Sequence, residues 1–322
     1  MMWGRWKPFW PRFGNLRDKD LGHIPVLRRE VVELLCVHPG GCYIDCTLGG
    51  GGHTRAICER GGRVVGIDID PYTIPRARES LKGCSEVIAL INDSFTNLES
   101  IVQALDLPRV DGILFDLGVS SLQLEDEQRG FSFKLDAPLD MRFNPQQKLK
   151  AEKILNTSSK DELYAILKQY GEEDRAGKIA HLIRESRPLS TTFDLVRVIQ
   201  RAGKKRGRIH PATKVFQAIR IAVNQELENL ELGLAEAEGI LSPGGRLAVI
   251  SYHSLEDRIA KNFLRTSLSL KPITPKPIRP NRTEVEENPR SRSAKLRVAE
   301  RSAENPLPPS SPPQGFSPPL KI

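Results

Sequence analysis

The chain has 322 residues, of which 39% are hydrophobic and 27% charged, and its formal net charge is +8. This composition is typical of a globular protein with two domains, or with one large domain that carries an insertion. No run approaches the roughly 18 apolar residues that a membrane-spanning helix needs. No apolar stretch follows the basic N-terminus as in a secretory signal. We therefore expect a cytoplasmic protein with no membrane partner.

The cysteines indicate neither a disulfide framework nor a metal site. Their number is odd, and no two are spaced as a Cys-x-x-Cys pair. Cysteines in apolar surroundings are usually thiols of the core, and we expect no bound metal. The five are Cys36, Cys42, Cys46, Cys58 and Cys84.

The two ends of the chain are predicted to be flexible tails. Residues 1–20 contain all three tryptophans, Trp3, Trp6 and Trp10, among basic residues. Aromatic and basic side chains together can clamp a nucleic acid, but a disordered extension that docks loosely has the same composition. Residues 302–322 are rich in proline and serine, which predicts disorder.

Five apolar runs between the tails predict strands. The runs are continuous, as is typical of strands that helices cover on both faces of a parallel sheet. Helical patterns separate the first four, for example at residues 73–81. This alternation predicts a doubly wound α/β sheet. The runs span residues 42–44, 63–67, 87–91, 112–115 and 246–250, and each is followed by a polar residue.

The gap between the fourth and fifth runs predicts an inserted helical domain, since its roughly 130 residues greatly exceed a normal crossover. A further helix begins near Pro211 and is predicted to continue toward Ile240, returning the chain to the sheet. We assign residues 126–214 to the insertion, and residues 21–125 and 215–301 to a cofactor-binding domain. Helical patterns within the insertion occupy residues 160–170, 175–185 and 192–202.

The positive charge is concentrated around this insertion. Between Asp194 and Glu226 the chain has eight basic residues and no acidic one. A solvated helix face usually mixes both signs, so the run favours contact with nucleic-acid phosphates over a solvated loop. The residues that we predict to bind these phosphates are Lys204, Lys205, Arg206, Arg208 and Arg220.

Four consecutive glycines, Gly49 to Gly52, follow the first predicted strand. They can adopt positive φ and let a ligand approach the backbone. Their spacing does not satisfy the Gly-x-Gly-x-x-Gly dinucleotide pattern, and no Gly-Lys-Ser/Thr follows as in a P-loop. The loop therefore favours a nucleoside ligand without a pyrophosphate, of which S-adenosylmethionine is the common example.

Acidic residues follow several of the strands, at the edge where open α/β sheets bind ligands. Asp68 ends the second strand and is predicted to accept hydrogen bonds from the ribose hydroxyls, with Asp70 as the alternative. Asp93 and Phe95 follow the third strand, and the ring of Phe95 can pack on an adenine. Together these residues predict a cofactor site at the carboxyl edge.

Several sequence blocks resemble the bacterial 16S ribosomal RNA cytosine-N4 methyltransferases, the MraW or small-subunit methyltransferase H family. In this order they cover roughly residues 22–301. The blocks are His23-Ile24-Pro25-Val26-Leu27, Gly49 to His53, Asp116-Leu-Gly-Val-Ser-Ser121, Arg129-Gly-Phe-Ser-Phe133, Pro138-Leu-Asp-Met-Arg142, His210-Pro-Ala-Thr213, Ser251-Tyr-His-Ser-Leu-Glu-Asp-Arg258 and Asn288-Pro-Arg-Ser-Arg-Ser-Ala-Lys-Leu-Arg-Val298.

The resemblance implies a class I, Rossmann-like methyltransferase sheet with an inserted helical domain. It also implies that S-adenosylmethionine is the cofactor, and that the substrate is a cytosine in the decoding region of 16S rRNA, within the small ribosomal subunit. The phosphate-binding residues would then bind this RNA. The cofactor contacts that the resemblance implies are Gly51, Gly52, His53, Asp68, Phe95, Asp116 and Gln123.

Asp116, at the end of the fourth strand, is the predicted catalytic residue. A carboxylate there can accept a hydrogen bond from the attacking amine. DNA amino-methyltransferases usually carry Asn/Asp-Pro-Pro-aromatic at this position, whereas Leu117 follows here, so Asp116 alternatively only holds the cofactor. His253 either meets the base or belongs to a helix cap that Ser254 and Asp257 suggest.

Further polar residues have two interpretations each. Gln217, Arg220 and Asn224 share a helical stripe and either bind RNA or are solvated. Asp140 and Arg142 either act in the site or form an internal ion pair. Two other functions stay open: a non-catalytic RNA-binding assembly factor, which predicts a damaged cofactor loop, and a methyltransferase that acts on DNA or protein.

Overall fold

The structure, a computed structural model, describes residues 25–203 and 210–303. The predictions for the two tails lie almost entirely outside these ranges. So do the predictions for Lys204, Lys205, Arg206 and Arg208. Among the described residues no helix is both long enough and apolar enough to cross a membrane.

Within the described residues, seven strands form one sheet. They are β1 (Cys42–Asp45), β2 (Arg63–Asp68), β3 (Val87–Asn92), β4 (Gly112–Asp116), β5 (Arg246–Ser251), β6 (Leu270–Pro272) and β7 (Lys295–Arg301). Their order across the sheet is β3-β2-β1-β4-β5-β7-β6. The first five are parallel, and β7 runs antiparallel between β5 and β6. The five predicted strands and the doubly wound α/β class are confirmed.

Helices cover both faces of this sheet, which explains why the five parallel strands are largely apolar. On β1 the neighbouring side chains of Tyr43 and Ile44 belong to opposite hydrophobic layers. One layer packs on α1 and α2, and the other on α4, α11 and α12. The helices of the sheet domain are α1 (Arg28–Leu34), α2 (Gly52–Cys58), α3 (Thr73–Ser80), α4 (Leu98–Ala104), α5 (Ser121–Glu125), α11 (Glu226–Ile240), α12 (Ser254–Thr266) and α13 (Arg282–Glu287).

The inserted helical unit has its own hydrophobic core, which runs from Phe131 to Val223. Its helices are α6 (Ala151–Thr157), α7 (Lys160–Gln169), α8 (Ala176–Glu185), α9 (Thr192–Arg201) and α10 (Ala212–Asn224). Asp140 and Arg142, for which the sequence left two interpretations, lie in the segment before α6. Arg142 donates two hydrogen bonds of 2.7 Å to Asp140. The internal ion pair is therefore the correct alternative.

The prediction of one helix from Pro211 toward Ile240 is wrong. The chain breaks at Gln225, which has left-handed φ and ψ of 50° and 43°. Tertiary contacts impose this break, because Asn224 donates to the carbonyl of Met141 at 2.7 Å and accepts from the backbone N–H of Phe143. By its packing α10 belongs to the helical unit, so the chain re-enters the sheet domain at residue 225 and not at residue 215.

Candidate active site

A cavity of about 710 Å³ lies at the carboxyl ends of the parallel strands, between the sheet and the helical unit. This is the edge where open α/β sheets bind ligands. Gly51, a predicted cofactor contact, is not part of its lining and instead precedes α2. The predicted cofactor residues that do line the cavity are Gly52, His53, Asp68, Phe95, Asp116 and Gln123.

The glycine loop connects β1 to α2 and leaves its backbone accessible. Gly49 and Gly51 have φ values of +49° and +81°, a region that favours glycine. Gly50 lines the cavity, and a Cβ atom there would meet no atom within 4 Å. At Gly52 a Cβ atom would lie 2.9 Å from Pro25, so this glycine is required by packing. The loop has room for a ligand at Gly50.

Asp68 presents a carboxylate beside this loop. It accepts hydrogen bonds of 2.9 Å from the backbone N–H groups of Gly49 and Asp70. Burial raises the pKa of Asp68 to about 7. The alternative acid, Asp70, is buried outside the cavity lining, where it pairs with Arg129 at 3.0 Å and accepts from Gln123 at 2.9 Å. Of the two, Asp68 is the one that a ribose can reach.

Phe95 provides an aromatic surface in the same part of the cavity. It begins a short 3₁₀ helix after β3, and its ring packs edge-to-face on Phe115 with centroids 5.3 Å apart. Gly233 of α11 makes room for it, because a Cβ atom there would lie 2.5 Å from the ring. The glycine loop, the acid and this ring together fit an adenosine group.

Asp116 lies at the end of β4, with its carboxylate fixed from two sides. The hydroxyl of Tyr252 donates to Oδ1 at 2.8 Å, and Nε2 of His53 lies 3.4 Å from Oδ2. The backbone N–H of Asp116 donates to Thr47 at 2.7 Å. The side chain is 20% exposed and lines the cavity. It can therefore accept a hydrogen bond from a bound substrate.

His53 is buried between two acidic groups. Its Nε2 faces Asp116, and the ring also lies near Asp45. Burial raises the pKa of Asp45, and the nearby His53 partly opposes this rise. Neither ring nitrogen of His53 has a hydrogen-bond partner among the described residues. The cofactor contact that the resemblance implies for His53 is therefore chemically open to it.

The side chain of Gln123, in contrast to that of His53, is hydrogen-bonded within the protein. Its carbonyl oxygen accepts from the backbone N–H of Ser120, which caps α5, and its amide donates to Asp70. Both polar groups of the side chain are thus engaged within the protein. Gln123 shapes the wall of the cavity and holds Asp70 in place.

Three phenylalanines form an aromatic wall on the helical side of the cavity, and sequence reasoning assigned them no role. Phe131 and Phe143 stack with centroids 5.5 Å apart, and Phe133 stacks on His210 at 4.6 Å. All three phenylalanines line the cavity. The signal was present in the alternating Phe-Ser-Phe of residues 131–133. Such a wall can accommodate a planar base.

The polar stripe on α10 is bonded within the protein and is not a solvated face. Arg220, predicted to bind RNA, donates hydrogen bonds of 2.8 and 2.9 Å to Glu226. Gln217 donates to the carbonyl of Tyr170, and Asn224 ties α10 to the preceding segment. Arg220 and Asn224 also line the cavity, so Arg220 faces it as one half of an ion pair.

Glu226, His253 and Glu256 lie close enough together to suggest a metal site. The cap of α12 is a reciprocal pair of His253 and Glu256, so this block does cap a helix, although the capping residues lie one position before the predicted Ser254 and Asp257. In this cap Nδ1 of His253 accepts the backbone N–H of Glu256, and Nε2 faces the Glu256 carboxylate at 3.2 Å. Because Arg220 already pairs with Glu226, the donor set fits a metal poorly.

The chain is similar to known proteins over most of its length. A profile of the MraW methylase family matches residues 20–302. "Ribosomal RNA small subunit methyltransferase H" of Dehalococcoides mccartyi is 48% identical over 304 residues, covering 88% of this chain and 87% of the relative. The protein of the same name from Thermotoga neapolitana is 49% identical, covering 86% of this chain and 95% of the relative.

Among solved structures, an rRNA methylase from Streptococcus thermophilus superimposes with a TM-score of 0.37 and 12% identity. That alignment covers 85% of this chain and 93% of the other. The range that the profile matches, residues 20–302, spans the glycine loop, Asp68, Asp116 and Tyr252. The chain belongs to the MraW methylase family.

Proposed function

We propose that the protein binds S-adenosylmethionine and methylates the N4 amine of a cytosine in the decoding region of 16S rRNA. The names of the relatives support a substrate in the small-subunit RNA. The observation that carries the proposal is the Asp116 carboxylate, fixed by Tyr252 and open to a cavity between a nucleoside-type site and an aromatic wall. This substrate would place the enzyme in the cytoplasm.

Different residues at the two ends of the cavity would bind the cofactor and the cytosine. The glycine loop, Asp68 and Phe95 would hold the cofactor, which supplies an electrophilic methyl group when bound. The aromatic wall would hold the cytosine ring, which must leave its stack to reach the cavity. Positioning of the amine against the methyl group is the larger contribution to the rate.

Asp116 would supply the electrostatic part. The exocyclic amine of cytosine is a poor nucleophile because its lone pair is delocalised into the ring. As the amine attacks, its nitrogen becomes positive and its N–H groups become stronger donors. A carboxylate that accepts one of them stabilises this charge, and then takes the proton that the methylated nitrogen must lose.

Mass spectrometry of ribosomal RNA tests the proposal directly. We expect 16S rRNA from cells that lack the gene to lose one N4-methylcytidine, and purified enzyme with S-adenosylmethionine to restore it on small subunits. Methylation of DNA or protein but not of the subunits would contradict the substrate. Tight binding of subunits without any methyl transfer would instead indicate a non-catalytic assembly factor.

A further inference from the structure

A second cavity, of about 300 Å³, lies on the other side of α5 from the first. Ser120, Leu122 and Gln123 line both cavities, so the start of α5 is their common wall. The remaining walls come from the segment that begins α3, from Asp126 and from Arg129. The proposed reaction uses none of these remaining residues as ligands.

The main feature of this cavity is the exposed aromatic ring of Tyr72, which neighbouring residues hold in place. Tyr72 is 58% exposed, yet its backbone N–H is bonded to the Asp70 carboxylate at 3.1 Å. The guanidinium of Arg129 lies 5.6 Å from the centre of its ring. Arg129 is itself buried and donates to the carbonyls of Arg142 and Phe143. Arg129 thus helps to hold the Tyr72 ring in place, so the ring loses little conformational freedom when a ligand stacks on it.

Charged groups of both signs surround the ring. Arg76 lies one helical turn after Tyr72, is exposed, and makes no ion pair with any described residue. The Nε of Arg129 is buried without a hydrogen-bond partner among the described residues. Asp126 adds a carboxylate. A ring, an exposed cation and an acceptor together suit a nucleotide, with its flat base, phosphate and amino groups, better than a simple anion.

The geometry points to a subsite in this second cavity for one unpaired nucleotide of the substrate RNA, whose base stacks on Tyr72 and whose phosphate contacts Arg76. The inference rests on the proposed function, because a strand that delivers a cytosine to the first cavity passes the wall that both cavities share. Stacking tolerates any base, so this subsite would position the strand without reading its sequence.

Substitutions in the full-length protein test the role of the ring. We expect Tyr72→Ala to weaken affinity for unmethylated small subunits, and for a cytidine-containing single-stranded oligoribonucleotide, by about tenfold, as loss of one stacked base does. Tyr72→Phe keeps the ring and should bind as wild type. Tyr164→Ala is the matched control, since Tyr164 is a 46% exposed tyrosine on α7. Affinity unchanged in Tyr72→Ala would overturn the subsite.

Two charge-reversing substitutions on α3 test the phosphate contact. Arg76→Glu should weaken RNA binding and lower its salt dependence, by about 0.7 in log–log slope for a single strand. Arg78→Glu changes the same charge two residues along α3, at another exposed arginine, and should have no effect. Equal effects of both substitutions would reduce the contact to general attraction and contradict the subsite.

Two measurements that do not depend on activity separate the remaining outcomes. Irradiation of a 5-iodouridine oligoribonucleotide bound to the wild type should cross-link it to Tyr72. If Tyr72→Ala weakens S-adenosylmethionine binding and leaves RNA binding intact, the cavity belongs to the cofactor and the inference fails. If the wild type methylates no ribosomal RNA but the Tyr72 series still weakens RNA binding, the proposed function fails and the subsite stands.

Discussion

The hydroxyl of Tyr252 donates a hydrogen bond of 2.8 Å to Oδ1 of Asp116, although 136 positions separate the two residues in the chain. The bond joins the carboxyl ends of β4 and β5, which are neighbours in the sheet. Burial, together with the charge of Asp116, raises the pKa of Tyr252 well above its usual value. The phenol therefore stays protonated and holds the carboxylate in one orientation.

Removal of that hydroxyl should slow methyl transfer with little effect on cofactor binding. In Tyr252→Phe the ring still packs against Gly118, but a hydrogen bond to a charged group, of ~1.5–3 kcal/mol, is lost. We expect single-turnover methylation to fall by about tenfold or more. Tyr170→Phe is the control, because it removes a bond from a tyrosine to Glu228, and neither residue lines the cavity. Equal rates in Tyr252→Phe and wild type would contradict a role in orienting Asp116.

Neutralisation of Asp116 should affect chemistry more than binding. Asp116→Asn keeps the shape and one acceptor oxygen but removes the charge that would stabilise the attacking amine. We expect single-turnover methylation to fall by ~10²-fold or more, and S-adenosylmethionine affinity, measured by calorimetry, to fall far less. If rate and affinity fall by the same factor, Asp116 is a cofactor ligand and the catalytic role belongs elsewhere.

Cofactor affinity should depend on pH through Asp68. Ribose hydroxyls bind the ionised carboxylate, and burial raises the pKa of Asp68 to about 7. Affinity should therefore fall by about tenfold between pH 8 and pH 6, as the ionised fraction falls. Asp68→Asn should bind weakly with no such pH dependence, and calorimetry at several pH values compares the two. A flat profile for the wild type would show that the carboxylate is ionised throughout.

The same group affects stability with the opposite sign. A carboxyl whose pKa is higher in the folded than in the unfolded protein binds its proton more tightly when folded. Its contribution to stability is full below about pH 4 and is lost as the pH rises through about 7. Asp68→Asn should remove this component from the free protein, which denaturant titrations at pH 5 and pH 8 can measure. An unchanged pH dependence in the variant would assign the effect to another group.

Two glycines of α11 should respond oppositely to alanine. In Gly233→Ala the added methyl would lie 2.5 Å from Phe95, so the ring must move, at ~1–3 kcal/mol, and cofactor affinity should fall. In Gly239→Ala the methyl meets nothing within 4 Å, and the helix should gain up to ~1 kcal/mol. Thermal unfolding and calorimetry of both variants test this. Unaltered cofactor binding in Gly233→Ala would contradict the assignment of Phe95.

The basic segment of the insertion remains a prediction from sequence. Replacement of Lys204, Lys205, Arg206 and Arg208 by Glu should weaken binding to small subunits and flatten its salt dependence, by roughly 0.7–0.9 in log–log slope per lost phosphate contact. Cofactor affinity should stay at the wild-type value. If RNA affinity and salt slope are also unchanged, the segment is a solvated loop.

A control for total charge uses exposed lysines on the helices of the same unit. Four replacements by Glu there change the net charge equally, and we expect a much smaller effect on subunit binding. The control residues are Lys153, Lys160, Lys168 and Lys178. Equal losses in both quadruple variants would indicate that only the overall charge matters.

The parts of the fold that depend on local sequence were predictable. Buried parallel strands are continuous apolar runs, and so all five were found together with the polar residues that end them. The break at Gln225 was not, because contacts between distant parts of the chain accompany it, such as those of Asn224 with Met141 and Phe143. The strands β6 and β7 were also missed, since β6 has three residues and four of the seven residues of β7 are charged.

The candidate site was likewise predictable only where it depends on local sequence. Asp68 and the glycine loop follow their strands directly, so chain position alone placed them at the carboxyl edge. The partnership of Tyr252 with Asp116 joins two loops that are distant in sequence, and no periodicity encodes it. The engagement of Arg220 by Glu226 likewise depends on the turn between α10 and α11, which reverses the expected exposure of that arginine.

The position of β7 has a consequence for how the protein is made. β7 comes last in chain order among the described strands, yet it lies between β5 and β6, and its first residue, Lys295, pairs with Ser251, directly before Tyr252. During synthesis β5 therefore has an unpaired edge until residue 301 has been added, and an open edge readily joins other strands. A nascent chain would carry the glycine loop and Asp116 long before Tyr252 is held in place. Under the proposed function, the chain would therefore gain its oriented Asp116 carboxylate only once β7 has paired with β5.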